Sequence, residues 1–134
     1  MQEKIGFEIA LNYKFEEAYQ KLSEALKVEG FGILTQIDVQ KTMKEKLGAE
    51  FRKYAILGAC NPPLAHKALS QSAEAGLLLP CNITLESEEE GSTTVRILDP
   101  LKMLQIGEMD KDEVLMEVGK EAREKLLRVA QNLK

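Results

Sequence analysis

From Lys53 the chain runs Lys-Tyr-Ala-Ile-Leu-Gly-Ala-Cys to Cys60, apolar on both alternating faces, and then meets Asn61-Pro62-Pro63-Leu64. A strand that is apolar on both sides lies centrally in a sheet or under cover on both faces. The segment after Cys60 reads as a helix start. Asn61 is a good N-cap, and Pro62 fits the first helical position, where its missing N–H costs nothing. Ala65, Ala68, Leu69 and Ser72 define an inward stripe for this helix, which ends near Gly76. The junction fixes one strand and one helix firmly enough to organise the reading of their neighbours.

Upstream, Ile5, Phe7, Ile9 and Leu11 alternate with Gly6, Glu8, Ala10 and Asn12, a half-buried first strand. Phe15, Ala18, Tyr19, Leu22, Ala25 and Leu26 then recur at helical spacing, and Gly30 ends that helix. A second strand from Phe31 to Ile37 puts Phe31, Ile33, Thr35 and Ile37 on one side. Asp38 caps a short helix whose narrow stripe, Val39, Met43 and Leu47, suits the cover of an edge and stops at Gly48.

Downstream, Leu79, Cys81, Ile83 and Leu85 share one face of a fourth strand. Pro80 cannot donate to a ladder, which puts the beginning of this strand at an edge or bulge. Ser87-Glu88-Glu89-Glu90-Gly91 reads as a hairpin loop into a fifth strand, Ser92 to Leu98, closed by Asp99-Pro100. Leu101 to Ile106 is a short amphipathic connection. The last helix spans Asp110 to Leu133, with Asp110 and Glu113 as its capping box. Its apolar face of Leu115, Val118, Ala122, Leu126, Val129 and Leu133 is long enough for part of it to meet a partner subunit.

The order β-α-β-α-β-α-β-β-α, with no linker or repeat, gives one domain over residues 1–134. Two-faced patterning in the first, second and fourth strands favours an α+β fold over a doubly wound one: about five strands, helices mainly on one face. A chain of 134 residues buries roughly two-thirds of its unfolded surface, enough for one core.

A net charge of -4 disfavours non-specific attraction to nucleic acid or anionic lipid. The start Met1-Gln2-Glu3-Lys4 lacks a signal-peptide profile and no apolar run approaches ~20 residues, so the expectation is a cytoplasmic protein without a membrane partner. Gly30 and Gly32 surround a strand start and no Gly-Lys-Ser/Thr sequence occurs, so no nucleotide cofactor is expected.

The candidate site is the junction itself: Gly58, Cys60, Asn61 and His66, with Cys81. Small side chains before Cys60 leave room for a ligand, and a thiol at a helix start can be acidified by unpaired N–H groups. Pro62 and Pro63 remove two of those donors, which demotes an anion cradle. His66, the one histidine, lies about a helical turn beyond Asn61; a Cys–His pair is the minimum for nucleophilic catalysis, yet no orienting third group is legible. Cys60, His66 and Cys81 are zinc-ligand types without zinc-site spacing, so no metal is expected. A Cys60–Cys81 disulfide depends on topology, since parallel neighbouring strands would set the thiols at different heights. Asn82, after Cys81, faces the opposite side.

Taken together, Gly30-Phe31 leading into Asp38, the strand Tyr54 to Cys60 with Asn61-Pro62, Leu79-Pro80-Cys81-Asn82 and Asp99-Pro100 resemble the family catalogued as domain of unknown function 302, over nearly the whole chain. The resemblance implies a compact α+β domain of the TATA-binding-protein-like class and a homodimer. It implies no mechanism, and fold similarity does not imply DNA binding. A sheet face rich in Arg, Lys and intercalating aromatics, which minor-groove binding needs, is not seen. Two functions stay open: a homodimeric module that binds a small-molecule ligand or a partner near Cys60, or a thiol-dependent enzyme or redox sensor using Cys60.

Overall fold

Alternating apolar residues in five segments build one sheet, described in a computed structural model that covers residues 4–134. The strands are β1 (Gly6–Leu11), β2 (Gly32–Asp38), β3 (Tyr54–Cys60), β4 (Cys81–Ser87) and β5 (Thr93–Leu98), in the spatial order β1-β5-β4-β3-β2. Every neighbouring pair is antiparallel. The α+β expectation holds. Met1-Gln2-Glu3, read for a signal profile, lie outside the described residues.

One sheet face is covered by α1 (Phe15–Val28) and α5 (Glu113–Leu133). Ile9, Leu57, Ile83, Leu85, Val95 and Ile97 from the strands pack there on Leu22 and Leu26 of α1 and Leu126 and Val129 of α5. Removing that apolar area from water is the main driving force for the fold. The opposite face, which carries Glu8, Arg96, Thr84, Ile56 and Ile37, has no helix over it among the described residues. The apolar face of α5 that was expected to meet a partner is covered by this chain's own α1, α3, α4 and β1, with Leu115, Leu126 and Leu133 buried.

Several expectations are corrected. The second strand does not keep Ile33 and Ile37 on one side. A bulge at Leu34 lets Ile33 pair with Ala59 and Ile37 with Ile56, so the inserted residue reverses the facing of the rest of the strand. Ile37 is therefore exposed, as is Leu34. β4 is the central strand, with Pro80 just outside it; its pairing with β5 begins only at Ile83, so Cys81 and Asn82 pair with β3 alone and the beginning of the strand is locally an edge, as expected. The third helix, α3 (Pro62–Gln71), is shorter than expected and buries Leu64 and Ala68, whereas Leu69 is exposed. A 3-10 turn, Ala73–Leu78, follows it. The last helix is capped by Asp112, whose carboxylate accepts from the N–H groups of Val114 and Leu115 at 2.9 and 3.1 Å. Asp110 is not its cap, because the chain spends it in a separate 3-10 turn, Ile106–Lys111, bent by positive φ at Gly107 and Glu108.

α2 (Val39–Leu47) behaves as an edge cover. Asp38 caps it, accepting from Lys41 N at 3.0 Å, Gly48 ends it with φ 65, and none of its residues is buried. The connection after β5 contains α4 (Pro100–Leu104), capped by the buried Asp99.

Candidate functional site

Between the carboxyl end of β3 and the helices α3, α4 and α5 lies a second, smaller apolar cluster around Ala68, Ala75, Leu104 and Leu115. It encloses a cavity of ≈ 70 Å³. A water needs only ~10–15 Å³, and an apolar cavity of about 150 Å³ accepts benzene, so the space is large enough for a ligand group. Its cause is visible in the lining: Ala59, Ala65, Ala68, Ala75 and Ala122 stop short of meeting across it. Larger side chains, including Phe31, Leu64, Met103 and Val118, close the remaining wall.

Polar links at the margins hold these walls. The buried Asn61 joins two elements: its Oδ1 accepts from Leu64 N at 3.2 Å and its Nδ2 donates to Glu29 O at 3.2 Å. Asp99 caps α4 by accepting from Leu101 N at 3.0 Å and accepts from Arg123 Nε of α5 at 3.1 Å. Gln71, at the end of α3, donates to Asp112 at the start of α5, at 2.8 Å. That amide, aided by the N–H of Leu115, holds the Asp112 carboxyl below its ordinary value. Gly119 lets α4 approach α5: a Cβ there would lie 2.5 Å from Leu104 Cδ1 and 3.2 Å from Leu101 Cδ2.

Of the residues singled out in the sequence, Cys60, Asn61 and Cys81 border the cavity. Both cysteines are thiols, Cys60 half-buried and Cys81 buried. Because β3 and β4 are antiparallel, the two cysteines come to the same end of the sheet. Cys81 pairs with Ala59, however, and strand alternation turns Cys60 the other way, which opposes a bridge between them. Burial pushes the Cys81 thiol up to about 11, with Cys60 nearby adding to the shift. His66 is exposed and does not line the cavity. Gly58 faces the other side of the sheet, where a Cβ would overlap Thr35 Oγ1 and Pro80 Cγ, so its small size serves strand packing there. Asn82 is exposed. Among the described residues, no group of three or more His, Cys, Asp or Glu could hold a metal ion, and no helix is long and apolar enough to cross a membrane.

The model of the family described as domain of unknown function DUF302 matches residues 7–133. The chain belongs to the DUF302 family. The crystal structure of an uncharacterized conserved DUF302 protein from Bacillus stearothermophilus is similar over 98% of this chain and 100% of that one, with a TM-score of 0.85 and 27% identity. No curated protein matches. The DUF302 description assigns no activity, so the cavity has to be interpreted from its own chemistry.

Sequence reasoning found the polar corner of this DUF302 cavity and missed its apolar wall. Leu104, Leu115, Val118 and Gly119 come from segments far along the chain, and only the glycine inside a long helix, where it costs roughly 1 kcal/mol relative to alanine, signalled a close approach.

Proposed function

We propose that this DUF302 protein is a homodimeric binding module that holds a small ligand in the cavity beneath the β3–α3 junction. The observation that carries the reading is a cavity lined largely by small and aliphatic side chains, beside a main cluster that holds alanines too but whose largest leucines, isoleucines and valines are fully buried. Thiol catalysis is the weaker alternative. Among the residues lining the cavity there is no carboxylate, imidazole or amine to act as a base beside Cys60, and the Cys81 thiol holds its proton at neutral pH. The test is a small-molecule screen by thermal shift on the wild-type protein and on Ala68→Leu, which fills the cavity. Compounds that raise Tm in the first and not in the second are expected; a broad screen without any such compound overturns the reading.

The dimer is supported by the uncovered sheet face. A row of charges crosses it, Glu8, Arg96, Glu86 and Arg52, joined by Arg96 Nε to Glu8 at 2.8 Å, Arg96 Nη1 to Glu86 at 2.7 Å, and an Arg52–Glu86 ion pair. Hydrogen bonding from Arg96, with Arg52, holds the Glu86 carboxyl below its ordinary value against the opposing effect of burial. The signs alternate along the row. A two-fold axis perpendicular to it reverses the order, setting Glu8 against Arg52 and Arg96 against Glu86 of a second copy, as an isologous interface requires. The exposed Leu34 and Ile37 lie beside the row and supply apolar area. Sedimentation equilibrium should find a dimer that Arg96→Glu dissociates; a monomeric wild-type protein, or a dimer indifferent to that change, removes this half of the proposal.

A further inference from the structure

The cavity abuts a helix start, the usual place for an anion, and yet most of the donors of such a start are missing or taken here. The first two helical positions of α3 are Pro62 and Pro63, which have no N–H. The next amide, Leu64 N, donates to Asn61 Oδ1 at 3.2 Å, and Ala65 N donates to Asn61 O at 2.9 Å. The positions that a helix normally leaves unpaired are its cap and first three residues, Asn61, Pro62, Pro63 and Leu64; two of them have no N–H and a third, Leu64 N, is taken by Asn61, so this helix start is depleted of the donors that would hold an anion. The Asn61 side chain is used at both ends, by Leu64 N and by Glu29 O. Lysine, arginine, histidine and carboxylate side chains are absent among the lining residues, and the wall is made mostly by Ala, Leu, Val, Met, Phe and Pro, with Cys60, Asn61 and Cys81 at one edge.

We infer that the ligand is uncharged, and that a compact apolar part of it, about the size of a branched three- or four-carbon group, is what enters the cavity. This rests on the binding reading above and names the class of molecule that the site takes. The size follows from the volume: ≈ 70 Å³ is under half of the ~150 Å³ that accommodates benzene. The charge follows from the apolar lining and the helix start that its prolines deplete of donors, because an ionised group entering here would lose its hydration and meet no opposite charge in exchange. Phosphorylated metabolites, nucleotides and amino acids are excluded from the cavity itself on the same ground. The polar remainder of a larger ligand would stay outside the cavity.

The experiment compares two molecules of one shape, isobutanol and isobutyrate, added to the full-length protein with carbon-13-labelled methyl groups. Saturable shifts of the Leu104, Leu115 and Val118 methyls are expected with isobutanol, and isobutyrate should bind at least about tenfold more weakly, since its carboxylate meets no opposite charge. The shifts should vanish in Ala68→Leu; if that variant does not fold, the pattern of shifted methyls in the wild-type protein locates the site by itself. Isobutyrate binding as tightly as isobutanol at these methyls overturns the neutral class while leaving a binding module in place. Isobutanol without effect on these methyls overturns the apolar class, and the screen on Ala68→Leu then decides separately whether the cavity binds anything.

Discussion

The two apolar clusters of this molecule are built from the same kinds of elements and differ in how they are filled. Between the sheet and the pair α1 and α5, side chains such as Leu22, Leu26, Leu57, Ile83, Leu85 and Leu126 have essentially no exposure. Under α3 and α4, alanines line the space where larger side chains would otherwise meet, and a cavity of ≈ 70 Å³ results. Cores are ordinarily packed to the density of organic crystals. The proposed site rests on the difference between the two clusters.

Truncation in the filled cluster should produce the largest effect. Leu126→Ala removes a fully buried side chain of α5 and is expected to cost about 2–5 kcal/mol in urea unfolding. A loss below about 1 kcal/mol would mean that the filled cluster also contains slack, and the contrast would blur.

Identical enlargements in the two clusters sharpen it further. Ala18→Leu, at a fully buried position of α1, has no space to enter and should cost about 1–3 kcal/mol through overpacking, whereas Ala68→Leu points into the cavity and should leave stability unchanged or slightly raised while ligand binding is lost. Equal destabilisation by both would show that the cavity cannot take a side chain.

At the boundary between the clusters, Cys81 offers a pH-dependent probe. Its thiol is raised from 9.0 to about 11 by burial, so the folded state keeps a proton that the unfolded state loses. The associated stabilisation is present below pH 9 and should fall by up to about 1.4 kcal/mol per pH unit as the pH climbs toward 11. Measured against Cys81→Ala, the wild-type protein should lose stability across that interval; parallel curves would place the thiol in contact with water.

The smallest change in stability is expected at Gly119. An added Cβ there crowds Leu104 Cδ1, the far end of a flexible side chain that also lines the cavity, so Leu104 can rotate into the empty space. Helix propensity gains up to about 1 kcal/mol from Gly119→Ala and offsets the crowding, so Tm should hardly move while the affinity of cavity ligands drops. A large fall in Tm with unchanged affinity would mean that Leu104 is locked in place.

Much of the fold could be read in advance because its signals are local. The period-two segments, the Asn61 and Asp38 caps, and the glycine stops at Gly30 and Gly48 each act within a few residues. The bulge at Leu34 was not legible, since it depends on how β2 pairs with β3, and pattern alone carried Ile37 to the wrong face. The cap of α5 was misplaced for a related reason: Asp110 and Asp112 are equally good caps, and the left-handed turn at Gly107 and Glu108 selects between them. For the site, Cys60, Asn61 and Cys81 were found because they flank a recognisable junction. The wall from α4 and α5 is assembled by tertiary packing and leaves only the interior Gly119 as a trace. His66 and Gly58 share the segment without sharing the cavity, His66 because its helix turns it to solvent and Gly58 because alternation turns it to the other sheet face.

The most direct measurement is a crystal structure of the protein under xenon pressure. A single strong xenon position among Leu64, Ala68, Leu104 and Leu115, with the cluster between the sheet and α1 unoccupied, is the result that a purpose-built apolar cavity predicts. Side chains closed over that space with no xenon bound would contradict it.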